Sequence, residues 1–473
     1  MCRMNALARH SAALTLLILG SLFSSGCTSS KDDTGEIEPP VINSGQISRG
    51  RDAAIHNLVA EAQTRLQNVE LQYVFTGTGK NQVLRGRPVA FALWSEAKQE
   101  WCIAHIELPR PPIKWKRTSG KPLAFLTLTP GIQARHVDGT GAERLMFAFS
   151  RDGEPLKVYG RKFPVFDNDL IKHKQWSAVV QTAKPIVYLP FTEDTFDPVF
   201  VSRGKTFLLT TARQAIEDLR LAKVPSTAFR GELLADVIPP QLITTLAVIE
   251  QTDDKDYIQK QALAFDDVLS QYGLKQEEAF RYSVSRANAL GPMQFTNRKG
   301  HGTYATVVRR YPAAKLDPNF ESGATHLLNA MKAAACLLDS NLAQMRKDIR
   351  VAYRANPEVL GIFPVAAYNG GGRNVAKLYR VLTRMNIRLD ELDRPGEQLA
   401  GAPVTCPCIW KTVGSDTRPL ALPKYNNENR WYVQKYQTIV SAFQAPGATK
   451  SPELLGLADD SVQAEAAKRV AQE

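Results

Sequence analysis

Apolar and polar positions alternate in two ways along this chain, and the change from one period to the other divides it. Ala54, Leu58, Ala62, Leu66 and Val69 recur at helical spacing and predict a helix over 51–69. From about 70 to 210 the pattern shortens to strand-like runs punctuated by Gly and Pro, among them Val69–Phe75, Val89–Trp94, Trp101–Leu108, Ala124–Leu128 and Phe207–Thr211. A helix over 211–222 closes that region. Beyond Pro239-Pro240 the helical period returns. Leu242, Ile243, Leu246, Ala247 and Ile249 give a helix apolar on a wide face, hence buried. Ala324, Leu327, Leu328, Met331, Ala334, Ala335 and Leu338 give another, with Met331 as packing. A third covers 363–369 and stops at three glycines. Tyr432, Tyr436, Ile439, Val440 and Phe443 mark a last one. Val268–Gly273 and Ala279–Ser283 look like two strands around a loop, so 252–282 reads as an inserted β-hairpin. Residues 391–425 read as Pro- and Gly-containing loop. The fold class expected is α+β, a β-rich region followed by a mainly helical one.

The first residues are a targeting signal. Arg3 and Arg9 precede an apolar run from Ala12 to Leu22, too short to span a bilayer, and Ser24-Ser25-Gly26 precede Cys27. This is similar to a bacterial lipoprotein signal with Ser24 where Leu is usual. The resemblance implies cleavage after residue 26 and lipidation of Cys27. Thr28 is not Asp, which points to the outer membrane facing the periplasm. The expected organisation is a signal peptide at 1–26, a flexible linker at 27–50, a β-rich domain at 51–230, a helical domain at 231–445 and a polar tail at 446–473.

Composition narrows the classes. With 44% hydrophobic and 22% charged residues this is neither a disordered chain nor an integral membrane protein. The net charge is +12, or +10 once Arg3 and Arg9 leave with the signal, and it suits an anionic polymer. Nucleic acid is not expected, because no basic cluster interleaves with aromatics. Trp94, Trp101, Trp115 and Trp176 could stack on sugars, but core packing is the commoner role. Cys406-Pro407-Cys408 has no zinc-ribbon spacing and no nearby His, so no metal is expected; one of the pair could bridge to Cys336. No phosphate loop or nucleophile elbow occurs, and His301 lacks the partners that catalysis needs.

The informative stretch is Ser283-Val284-Ser285-Arg286-Ala287-Asn288-Ala289-Leu290-Gly291-Pro292-Met293-Gln294-Phe295-Thr296. Its small residues let a backbone approach a ligand closely, and Gln294 offers a neutral donor and acceptor. Upstream, the buried helix ends in Ile249-Glu250-Gln251. Downstream lies Ala366-Ala367-Tyr368-Asn369-Gly370-Gly371. In this order the three pieces resemble the Slt-type, goose-lysozyme-like lytic transglycosylase domain of glycoside hydrolase family 23, over roughly residues 231–445. The resemblance implies a lysozyme-like helical fold and cleavage of peptidoglycan glycan strands, with Glu250 as single general acid and base and no cofactor. It implies that Tyr368 hydrogen-bonds that glutamate, that Asn369 contacts sugar, and that Ser285, Met293 and Gln294 line sugar subsites. Pro292 stands where hydrophobic residues are usual.

Burial and the negative end of the helix dipole would both raise the pKa of Glu250. The 34 residues between Glu250 and Ser285 are more than the resemblance calls for, which leaves Glu277 and Glu278 as rivals. No long apolar helix is expected before them, so Glu250 is preferred. Two alternatives remain open: a non-catalytic peptidoglycan-binding lipoprotein, and a hydrolytic lysozyme in which Asp253 or Asp254 shares a helical face with Glu250 and positions water.

Overall fold

The computed structural model describes residues 50–110, 124–138, 146–189, 192, 195–260, 262–285, 289–297, 302–393, 408–413, 416–421 and 427–444. Cys27 and the signal, the linker, Trp115, Arg286–Asn288, His301, Cys406 and the tail lie outside them. The chain is mixed α and β, with a β-rich region followed by helices.

Helix α1 (Arg51–Gln67) turns Ile55, Val59, Ala62 and Leu66 onto an antiparallel sheet. Its strands are β1 (Gly86–Ser95), β2 (Glu100–Pro109), β3 (Leu126–Thr127), β4 (Ile132–Asp138), β5 (Met146–Arg151), β6 (Glu154–Val165) and β7 (Lys184–Tyr188). They run in the order β3-β2-β1-β6-β5-β4, with β7 also on β6. One face packs on α1 around Ala90, Ala92 and Tyr159, the other closes over Phe91, Phe147 and Phe149. Trp94 and Trp101 pack ring to ring, 5.1 Å between centroids, and Arg65 covers Trp101; Trp176 is buried. These three tryptophans are packing groups.

The strand expected at Phe207–Thr211 is instead the middle of a 24-residue helix, α2 (Pro198–Leu221). Asp197 caps it through Val199 N (2.9 Å) and Pro198 occupies its first turn. Phe200, Gly204, Leu208, Ala212, Ala215, Ile216 and Leu219 then form one buried stripe, and this long periodicity overrides the short β-like run.

The expected hairpin is also corrected. Helix α3 (Pro240–Gln251) is followed by α4 (Asp254–Lys260) and α5 (Leu263–Lys275), so both of these stretches are helical. Ala264, Phe265, Val268, Leu269 and Tyr272 face inward at helical spacing. Gly273 looks like a breaker but is a contact. A Cβ there would stand 2.0 Å from the Phe200 carbonyl oxygen, and one on Gly204 would stand 1.9 Å from that of Leu269. The backbones of α2 and α5 touch at two glycines.

The helices α6 (Thr303–Arg310), α7 (Leu327–Ala343), α8 (Lys347–Ala355), α9 (Ile362–Gly370), α10 (Gly372–Arg384) and α11 (Asn427–Gln444) complete the helical core. Leu208, Ala212, Ala215, Ile216 and Leu219 of α2 belong to this core, which therefore draws on residues before 231. Asp339 of α7 is wholly buried and accepts from Ser226 Oγ (2.5 Å), Thr227 N (2.7 Å), Thr227 Oγ1 (2.8 Å) and Tyr311 OH (2.8 Å). Four donors satisfy a carboxylate that burial would otherwise disfavour.

Within the segment read as loop, β8 (Cys408–Val413) and β9 (Asp416–Ala421) form an antiparallel hairpin. Trp410 N donates to Gln437 Oε1 of α11 (3.0 Å), which fixes the hairpin on that helix. Cys336 is buried in α7 as a free thiol, so the bridge considered for it is not formed.

Candidate functional site

Helix α3 has no exposed face over Leu242–Ile249, because α2, α5, α7 and α11 pack around it. It ends where Thr252 turns extended, at ψ 119°. Glu250 is thus the last turn's carboxylate, half-buried at the end of an apolar rod. Tyr432 of α11 donates its hydroxyl proton to Glu250 Oε1. One turn further along α11, buried Lys435 donates to Thr252 O (2.6 Å) and Asp254 Oδ1 (2.6 Å). Burial pushes the Glu250 carboxyl up from its ordinary 4.5 to about 7, while the Tyr432 hydrogen bond and the Lys435 charge pull the other way. The Tyr432 and Tyr368 hydroxyls are held well above their ordinary range, by burial first and the neighbouring Glu250 charge second.

The described parts of the small-residue segment, Ser283–Ser285 and Ala289–Thr296, pack beside this glutamate. Leu290 and Phe295 exchange backbone hydrogen bonds (2.8 and 3.1 Å). Gly291 at φ 79° approaches Ala324 so closely that a Cβ would meet its carbonyl oxygen at 2.0 Å. Gln251, next to Glu250, holds the turn by donating Nε2 to Pro292 O (2.9 Å) and Gly291 O (3.2 Å). Tyr368 of α9 holds its other side by donating to Met293 O (2.7 Å). The tyrosine that the resemblance pairs with the glutamate is therefore spent on the loop, and Tyr432 bonds the carboxyl instead. Geometry decides this: the loop carbonyl competes for the Tyr368 proton, while α11 crosses directly over Glu250.

The other expected residues fall as follows. Met293 is fully buried beside the loop. Gln294, at φ 49°, donates Nε2 to Gly291 O (2.8 Å) and toward Ser283 O (3.2 Å), so its nitrogen serves the loop while its amide oxygen has no described protein donor. Ser285 Oγ accepts from Ala289 N (3.1 Å). Asn369 is exposed and accepts from Asn429 of α11 (3.1 Å), leaving its own amide protons for a ligand. Glu250, Met293, Gln294, Tyr368 and Asn369 are thus gathered by three segments, and α11 supplies Asn429, Tyr432 and Lys435, none of which the sequence reading placed at the site. Their signal was present: polar residues at spacing 3 on one face of an otherwise amphipathic helix.

The rival carboxylates are elsewhere in character. Glu277 and Glu278 lie exposed on a single 3-10 turn, with Glu278 paired to Arg281. Contrary to expectation, a buried helix, α5, does precede them, but both carboxylates are exposed to solvent and lack the burial that raises the Glu250 carboxyl. Helix α3 stops before Asp253 and Asp254, so neither shares a face with Glu250, and Asp254 is held by Lys435. Among the described residues no group of three His, Cys, Asp or Glu side chains could hold a metal ion. No family model, curated protein or solved structure matches the chain.

Proposed function

We propose that the chain is a lytic transglycosylase that cleaves the bond between N-acetylmuramic acid and N-acetylglucosamine in peptidoglycan, in a lysozyme-like helical domain. The observation that carries this reading is the state of Glu250: a carboxyl raised to about 7, touched by one tyrosine hydroxyl and by no second carboxylate among the described partners. An acid near neutrality can protonate the glycosidic oxygen as the C1–O bond breaks. The resulting carboxylate then removes the proton from the muramic C6 hydroxyl, whose oxygen closes on C1. The product is a 1,6-anhydro sugar, no water is consumed, and Glu250 ends protonated as it began. Hydrolysis with two carboxylates has less support, because Asp253 and Asp254 are turned off the helix that carries Glu250. Tyr432 holds the carboxyl in place and Asn369 offers amide protons to a sugar, whereas Met293, expected to line a sugar subsite, is fully buried and supports the loop from within the core.

The reading includes a lipid anchor at Cys27, in the outer membrane and facing the periplasm. Incubation with isolated sacculi and mass analysis of the soluble fragments tests it. Anhydromuropeptides are expected. Reducing ends heavier by one water would mean a lysozyme, and bound but intact sacculi would mean a wall-binding lipoprotein.

A further inference from the structure

Helix α10 begins three residues after Asn369 and carries no acidic residue. Val375, Leu378, Val381 and Leu382 bury one face. The opposite face exposes Arg373, Lys377, Arg380 and Arg384, spread over about 16 Å of helix. Arg380 donates Nε to its own backbone at Ala376 O (3.1 Å), and none of the four is in an ion pair among the described residues. The nearby carboxylates are engaged: Asp348 by Arg346 and Tyr379, Asp390 by Arg388.

Helix stability accounts for only part of this row: Arg384 lies in the last turn, where the dipole favours a cation, but Arg373 sits in the first, where it does not. Arg373 with Lys377, and Arg380 with Arg384, are like-charge neighbours four apart, which destabilise a helix. Along its flank runs a cleft of about 270 Å³ lined by Asn341, Met345, Arg346, Val375, Tyr379 and Arg380. The exposed charged groups on this face are all cations, so the complementary ligand is an extended chain bearing repeated anionic acceptors.

We infer that the exposed face of α10 is a docking tract for such a chain, and that its occupant is the peptide-bearing part of the glycan strand leaving the Glu250 site, bound through stem-peptide carboxylates. The identity of the ligand, though not the charged surface, rests on the proposed function.

The test uses the full chain carrying Glu250→Gln, so that binding is read without cleavage. Sedimentation with sacculi at low salt is compared with and without Arg373→Gln, Lys377→Gln, Arg380→Gln and Arg384→Gln together. Four exposed pairings predict binding about tenfold weaker and less sensitive to added salt than the parent's. Glycan strands stripped of their peptides should bind both proteins alike. Equal binding of intact sacculi by both proteins, an equal loss on stripped glycan, or no binding by the parent would each overturn the inference. So would loss of binding to phosphatidylglycerol vesicles with sacculus binding unchanged, which would make the tract a membrane surface. Should the fourfold variant fail to fold, Lys377→Gln with Arg380→Gln is measured instead, with a loss of a few-fold expected. Absence of anhydro products alongside tract-dependent binding would remove the proposed function and leave the tract.

Discussion

Replacing Glu250 by Gln should make the protein more stable as well as inactive, and the gain should depend on pH. The folded protein holds a proton at Glu250 up to about pH 7, whereas a carboxyl in the unfolded chain releases its proton near 4.5. Below 4.5 both states carry the proton and the site is neutral toward folding. Between 4.5 and about 7 the unfolded chain binds fewer protons, so stability falls as pH rises, and above 7 the loss is complete. The gap corresponds to a ceiling of about 3 kcal/mol at about 1.4 kcal/mol per pH unit. Glu250 keeps part of its surface on solvent, and screening reduces the expected figure to about 1–2 kcal/mol. Gln keeps the shape and still accepts from Tyr432 but has no charge to bury. Urea unfolding of both proteins at about pH 4.5 and about pH 8.5 reads the difference. The variant should match wild type in acid and exceed it by about 1–2 kcal/mol in alkali, while cleavage drops by about 10² to 10⁴. A gain independent of pH, or no gain, would refute the account of a desolvated acid. Retained cleavage would remove Glu250 from the chemistry.

Tyr432→Phe removes a hydrogen bond that favours the charged carboxylate, so the pKa of Glu250 should rise further and the alkaline limb of the rate profile, expected near 7, should move up by about one unit; an unmoved or lowered limb counts against that bond. Gly204→Ala drives a methyl into the Leu269 carbonyl and should cost about 3 kcal/mol in denaturant unfolding, with Gly273→Ala similar; near-neutral values would mean that α2 and α5 are not in backbone contact. Glu277→Gln and Glu278→Gln should cleave within a few-fold of wild type, since both carboxylates sit on an exposed turn; a dead Glu277 variant would relocate the acid.

The site's three segments were legible for a physical reason. Helices α3 and α9 are buried on nearly every side, so their apolar runs are long, and each stops abruptly, at Thr252 and at the glycines after Asn369. Position relative to those stops needs no knowledge of the fold. What was not legible depends on distant partners. Val268–Tyr272 and Phe207–Thr211 look like strands in a short window; over a longer one their buried residues keep helical spacing, and the close approach of Gly204 to Leu269 and of Gly273 to Phe200 is a contact between distant segments. Tyr432 reads as one more core aromatic until α11 is laid across Glu250. The choice between Tyr368 and Tyr432 turns on a loop carbonyl at 2.7 Å, which no spacing encodes. The hairpin Cys408–Ala421 hides in a segment whose composition says loop, and its anchor is a Gln on another element.

Helix α2 has one end in each hydrophobic core: Phe200 packs with α1 and the sheet, and Leu208 to Leu219 pack with the helices around Glu250. A rod clamped at both ends cannot serve as a hinge. A load placed on the sheet reaches α5 through the glycine contacts, and α5 lies against α3. The two regions should therefore melt as a single cooperative unit, and a fragment begun at residue 231 would leave the faces of α5 and α7 that α2 covers bare to water. Through α2, the sheet is thus mechanically linked to the helices that pack around the end of α3.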